Sequence, residues 1–342
     1  MKVTEEQKRT VVLYLLEKIR ENRDGLSQHT AEVFHISPNT VHTYLNELLD
    51  KGIILREKRG KYSLAETEIT VCLQRSLGEL KNDTDALNKH LEPVIRDLAP
   101  SVKSIWRYAF SEMVNNVIDH SGAEHLWIRI RRNHLLTQVL LTDDGVGIFE
   151  KIRNHFGFES LDDAICELFK GRLTTDAVHH SGEGIFFSSK MMDRFYILSG
   201  GKIFTTDKYE EELISDMGGD RPEGTSVMME LSNFSNKKAS EIFDLYTNDD
   251  GGFTKTKIPL KNIFDSDPVS RSQARRVCNR LDKFTEVELD FDGVSWMGQG
   301  FAHQIFVVFR GEHPDIILNP VNMGEEVESM YRHVIGSASL PG

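Results

Sequence analysis

Apolar positions change their period several times along the chain. Between Glu5 and Arg20, Val11, Val12, Leu15, Leu16 and Ile19 recur at helical spacing, and Asp24-Gly25 stops the run. A shorter helix is expected after Ser27. "ISPNTVHTYLNELLDKGII" then offers Pro38 in a first turn, apolar Val41, Leu45, Leu48 and Leu49, and a closing Gly52. "IILREKRGKYSL" alternates around Arg59-Gly60 as a hairpin does. Residues 66–100 are polar and read as a helical connector ending at Pro100. A helix opening at Ser101 precedes strands at "HLWIRIRR" and "TQVLLTDDG", then an irregular and helical stretch to about residue 181. A helix at "GEGIFFSSKMMDRF" and strands at "YILSG", "KIFTTD" and "GTSVMMEL" complete a helix-sheet sandwich over 101–235. Residues 249–335 alternate helix, strand, helix, strand. The expected class is α/β multidomain.

Charge refines the first segment. The chain of 342 residues carries a formal net charge of −12, yet residues 1–64 hold 11 Lys and Arg against 9 Asp and Glu. Any nucleic-acid contact therefore belongs at the N-terminus. Three helices and a basic hairpin resemble a winged helix-turn-helix over residues 1–65. The resemblance implies a recognition helix presenting Asn39, Thr40, His42, Thr43 and Asn46, and a wing laying Arg56, Lys58, Arg59 and Lys61 along phosphates. Such modules also serve protein–protein contacts, and the small net charge leaves that alternative open.

Three scattered cysteines, Cys72, Cys166 and Cys278, form no CxxC pair and build no disulfide framework. The N-terminal segment is interrupted by charge every few residues, unlike a signal peptide, and no window approaches the roughly 18 apolar residues of a membrane span. A cytoplasmic protein without membrane contact is expected.

Four motifs fall in order between residues 101 and 233. Glu112 and Asn116 stand one helical turn apart, "DDGVG" follows a strand with Asp143, Gly145 and Gly147, "GEG" opens a helix with Gly182 and Gly184, and "EGTS" precedes a strand with Thr225. Together they resemble the GHKL ATPase superfamily of gyrase-type topoisomerases, Hsp90-type chaperones, mismatch-repair ATPases, sensor histidine kinases and anti-sigma serine kinases. The resemblance implies an α/β sandwich with a mixed sheet, binding ATP with Mg²⁺. Asn116 would ligate Mg²⁺ through its amide oxygen. Glu112 would polarise a water for attack on the γ-phosphate, or bridge to the metal through water. Asp143 would accept from the adenine amino group, with Gly145 and Gly147 admitting the base and Thr225 near it. Gly182 and Gly184 would set amides and a helix N-terminus against the phosphates, with His179, His180 and Ser181 beside them. Residues 148–181 would form the lid. His120, on the same helix, reads as a structural neighbour and not as a phosphoacceptor.

The run Val269 to Phe309 looks like a STAS-like domain, which in some proteins is the substrate of anti-sigma serine kinases. Its expected acceptor turn reads "WMGQGF", with Gly298 and Gln299 in place of Asp-Ser-Ser, which speaks against phosphorylation there; Ser295 sits on the strand side. Arg271, Arg275 and Arg276 read as a solvated helix face, with a bound phosphate or an acidic partner as the alternative. The expectation is an ATP-dependent regulator: DNA on residues 1–65, a protein partner on the STAS-like region, and a homodimer as an admissible assembly. The alternatives are a serine/threonine kinase acting on a partner and an ATP-binding scaffold without turnover.

Overall fold

Helices Glu5–Arg20 (α1), Leu26–Phe34 (α2) and Pro38–Asp50 (α3) begin the structure, a computed structural model that describes residues 4–173, 182–207, 215, 217, 223–264 and 266–338. Their starts are chemically marked. Thr4 and Gln7 form a reciprocal capping box, and Ser37 accepts from the Thr40 N–H just ahead of Pro38. The antiparallel hairpin β1 (Ile54–Lys58) and β2 (Lys61–Leu64) follows. Val11, Leu15, Leu16, Val41, Leu45 and Ile54 form a small core of their own, into which Leu135 inserts from the next region.

The expected helical connector over 66–100 needs correction. Thr67–Gln74 is strand β3, the edge of a six-stranded sheet; opposite Ile69, Val71 and Leu73 lie Ile130, Ile128 and Leu126 of β4 (His125–Arg132). Only one face of this edge strand meets the core, so its polar alternate residues disguise it. Short helical turns at Asp83–Ala86, Leu87–Leu91 and Glu92–Ile95 then lead to Pro100.

The sheet runs β3-β4-β5-β8-β6-β7, with β5 Leu136–Asp143, β6 Arg194–Ser199, β7 Lys202–Thr205 and β8 Ser226–Ser232, every neighbouring pair antiparallel. Helix Pro100–Asn116 belongs to the core beneath it. Val102, Ile105, Trp106, Ala109, Phe110, Met113 and Val114 are all buried at three- and four-residue spacing. Each large side chain fully removed from water there contributes roughly 1.5–3 kcal/mol. The opposite stripe, Tyr108, Glu112 and Asn116, is left partly open.

Near the C-terminus β9 (Lys255–Pro259), β10 (Glu286–Asp290) and β11 (Ile317–Val321) form a parallel sheet with helices at Arg271–Cys278 and Gln299–His303 in the crossovers. Strand β9, "KTKIP", was not foreseen. The α/β multidomain class is observed, with antiparallel pairing in the hairpin and the six-stranded sheet and parallel pairing in the three-stranded one. The parallel region has no isolated core: Phe253, Val287, Leu289 and Phe301 belong to the same buried cluster as Trp106 and Phe110. Phe253 packs against Phe186 and Phe187 with ring centroids 4.8 and 5.2 Å apart. Among the described residues no helix is long and apolar enough to cross a membrane.

Candidate functional site

The open stripe of helix Pro100–Asn116 faces a cavity of about 240 Å³. Glu112, Asn116, Asp143, Gly182, Gly184 and Thr225, separated by as many as 113 positions in sequence, all line it. Gly145 and Gly147 are not among its lining residues; they shape the loop that does line it.

Asp143 ends β5 and is 5% exposed. Its main-chain N–H donates to Thr225 O at 2.9 Å, and its carboxylate accepts from the Gly145 N–H at 2.8 Å. Burial pushes this carboxyl up to about 6, against the opposing pull of that hydrogen bond. The neighbouring Asp144 serves a different purpose, accepting from the main-chain N–H of His125 and pairing with its ring at 2.7 Å. Thr225 accepts at its hydroxyl from the Ile148 N–H at 3.0 Å, fastening the start of helix Ile148–Phe156 to the strand β8 edge of the cavity.

The glycines are required by contact between loops. A Cβ at Gly145 would lie 2.3 Å from Ser121 O, and one at Gly147 would lie 2.5 Å from Ser199 Oγ. Gly182 has φ +74° and a Cβ there would meet Leu173 O at 2.6 Å. Gly184 opens helix Gly184–Met191, and its Cβ would fall 2.0 Å from Glu112 Oε2. The Glu112 carboxylate thus packs directly on a helix N-terminus, where negative charge is favoured. Burial, and then the charges of Glu112 and Glu183, hold the Tyr108 hydroxyl well above its ordinary range.

Immediately after Asn116 the helix widens into a π turn, Val117–Ser121, before Gly122 ends it in a left-handed conformation. Widened turns leave carbonyls to be satisfied elsewhere. Arg75, from the loop after β3, donates to Val117 O, Ile118 O and Ala123 O at 3.1, 3.1 and 2.7 Å. Ser121 O accepts from the Val146 N–H at 2.8 Å, tying the turn to the "DDGVG" loop. His120, expected to be a neighbour only, lines the cavity.

Lys151 was missed altogether. It is the one lysine or arginine among the described lining residues, and its ammonium donates to His120 O. Burial lowers its proton affinity. Ile148, Lys151 and Ile152 occupy one helical face, so the spacing after "GVG" held the signal. Hard oxygens of Glu112 and Asn116 on one side suit Mg²⁺ held largely by phosphates and water. His179, His180, Ser181 and the end of the expected lid lie outside the described residues; its first part forms helices Ile148–Phe156 and Leu161–Lys170.

The other expected residues are dispersed. Asn39 and Thr43 are exposed on α3, and Thr40 is half-buried, its hydroxyl engaged with that of Ser37 at 2.8 Å. Arg56, Lys58 and Arg59 are exposed on the hairpin, with Arg56 stacked 5.8 Å over Tyr62. Lys61 instead turns back to Asp24 at 3.0 Å and Asn22 at 3.3 Å. In the "WMGQGF" turn, a Cβ at Gly298 would lie 2.3 Å from Val269 O, so packing demands glycine there. Arg271 and Arg275 are exposed as expected, but Arg276 is not a solvated residue: it pairs with Asp163 at 2.6 Å.

Comparison with known proteins agrees with this geometry. Residues 102–234 match the family described as histidine kinase-, DNA gyrase B- and HSP90-like ATPase, and residues 273–328 match a STAS-like domain of unknown function. An uncharacterised sensor-like histidine kinase of Chloroflexus aurantiacus is 36% identical over 83 residues, covering 22% of this chain and 14% of that protein.

Proposed function

We propose that this chain is a regulator whose central region binds Mg-ATP in the cavity and turns it over slowly, altering chiefly how the STAS-like region engages its partner. The observation that carries the reading is Asp143: a buried carboxylate that accepts from the Gly145 N–H of its own loop, set in the same cavity as Glu112, Asn116 and the helix N-terminus at Gly184. A buried acceptor of this kind selects a donor, which adenine presents as its C6 amine, where guanine presents a carbonyl oxygen. Asn116 supplies a hard oxygen for Mg²⁺. The amides opening helix Gly184–Met191 and the Lys151 ammonium favour phosphate oxygens. Glu112 accepts a proton from an attacking water, while bound nucleotide contributes the phosphoanhydride to be cleaved.

In the same reading, α3 and the β1–β2 hairpin hold DNA through Asn39, Thr40, Thr43, Arg56, Lys58 and Arg59, and the STAS-like region receives a protein partner. Lys61, engaged with Asp24, adds less. Calorimetric titration with ATP and GTP, with and without Mg²⁺, tests the cavity; equal affinity for the two nucleotides would refute the role of Asp143. Turnover with γ-labelled ATP separates the chemistries. Free labelled phosphate supports hydrolysis, label retained on an added STAS protein supports a serine kinase, and nucleotide bound without turnover leaves a scaffold.

A further inference from the structure

The stretch 167–173 faces two ways. Leu168, Gly171 and Leu173 line the cavity. The residues between them are fastened to the C-terminal region. Lys170, 1% exposed, donates from Nζ to Glu167 at 2.6 Å, to Arg276 O at 2.9 Å and to Asn279 O at 2.6 Å. An ammonium has three protons to donate, and all three find acceptors. Two of those acceptors are carbonyls at the end of helix Arg271–Cys278, where a helix is best served by a cation. Glu167, 3% exposed, is held in turn by Arg280 at 3.3 Å and Asn279 Nδ2 at 3.3 Å. The main chain is fixed as well: Lys170 O accepts from the Thr256 hydroxyl of β9 at 2.7 Å, and Arg172 donates to Lys283 O at 2.6 Å. Leu173 N–H then crosses to Gly182 O at 3.1 Å, joining this stretch to the glycine turn of the cavity.

We infer that the STAS-like region backs one wall of the nucleotide cavity, and that Lys170 is the positioning residue that fastens that wall to it. This rests on the cavity being the nucleotide site. Lys170 touches no reacting atom; it fixes Leu168, Gly171 and Leu173 by anchoring the turn between them. A partner that shifts β9 or helix Arg271–Cys278 therefore changes nucleotide affinity, and nucleotide changes affinity for that partner by the same factor.

The test uses the full chain. Glu167→Gln with Lys170→Met removes both buried charges together, so that neither is stranded. Mg-ATP affinity is expected to fall by about tenfold or more. Amide exchange at Leu173 is expected to quicken, while β4 and β5 keep their protection. Thr256→Val, nearly isosteric and away from the cavity, should move both quantities in the same direction by a smaller factor, which covers the event that the double variant folds poorly. Unchanged affinity and unchanged Leu173 exchange in these variants would overturn the inference. If the wild-type chain binds no Mg-ATP, the nucleotide reading fails by itself. Exchange at Leu173 then decides the wall: faster exchange supports it and unchanged exchange overturns it.

Discussion

Asp143→Asn should make the unliganded protein more stable and its nucleotide complex weaker. The buried carboxyl titrates at about 6 in place of 3.8. At ~1.36 kcal/mol per pH unit, keeping it ionised costs the fold roughly 3 kcal/mol at neutral pH. Below the unfolded value the group is protonated in both states and the penalty vanishes. It grows as pH rises from 3.8 and is complete above about 6. An asparagine retains an oxygen for the Gly145 N–H without the charge. The expected gain at pH 7.5 is therefore as much as roughly 3 kcal/mol. For 342 residues melting as one unit this corresponds to about 4 °C, using roughly 2.1 cal/mol/K per residue. At pH 4 the two proteins should melt nearly together. Mg-ATP affinity should fall by roughly 10- to 100-fold, the worth of a hydrogen bond to a charged acceptor. Thermal melts at both pH values and calorimetry at pH 7.5 provide the measurements. An equal difference in Tm at pH 4 and 7.5, or a loss of stability at 7.5, would refute the claim that burial raises this carboxyl.

Three further outcomes follow from the same cavity. Gly184→Ala improves helix propensity by about 1 kcal/mol in isolation, yet its Cβ would strike Glu112 Oε2, so nucleotide binding should be lost in calorimetry; wild-type affinity would show that Glu112 yields freely. Lys151→Met should weaken ATP more than adenosine, with Lys151→Arg restoring part of the difference; an equal loss for both ligands would remove Lys151 from the phosphate side. In the wild-type protein, Mg-ATP affinity should decline as pH falls through about 6, because protonation removes the charge that strengthens the bond from the adenine amine, and Asp143→Asn should abolish that dependence.

The parts of this structure that were legible in the sequence are those in which local period and burial agree. Helix Pro100–Asn116 displays its buried stripe and its polar stripe side by side, so the placement of Glu112 and Asn116 on one face could be read directly. Strand β3 could not, because an edge strand buries one face only and its polar alternates mimic a connector. Glu167 and Lys170 were hidden for another reason. Three positions apart on an amphipathic helix, they resemble a solvated pair, and it is residues 256 and 276–280, roughly 90 or more positions later, that cover and bind them. For Arg276 the open alternative of an acidic partner is the one realised, from the other side of that contact. Long-range pairing of charged groups leaves no periodic trace. Lys151, by contrast, followed a helical face that could have been counted.

The placement of the two flanking regions makes unequal demands on the nucleotide. The STAS-like region touches the cavity wall directly through Lys170. The N-terminal module meets the sheet at Leu135, in the β4–β5 turn, at the opposite end of β5 from Asp143. Eight residues of extended strand put roughly 24 Å between those ends. Along that path the strand is hydrogen-bonded on both sides by β4 and β8, and Val139 and Leu141 are buried in the main core. A paired central strand has no second arrangement for nucleotide to select, and coupling over such a distance needs an element with two states. Glu17 and Arg20 of α1 line a crevice together with Leu135, Arg194 and Glu230 at this same end of the sheet. Saturating Mg-ATP should therefore change the DNA affinity of the single chain by less than about threefold, well below the 5- to 150-fold typical of coupled sites. Affinity for a STAS-region partner should respond more strongly. Fluorescence anisotropy with duplex DNA, with and without Mg-ATP, decides the matter: a tenfold change in DNA affinity at constant oligomeric state would mean that the sheet transmits what its pairing says it cannot.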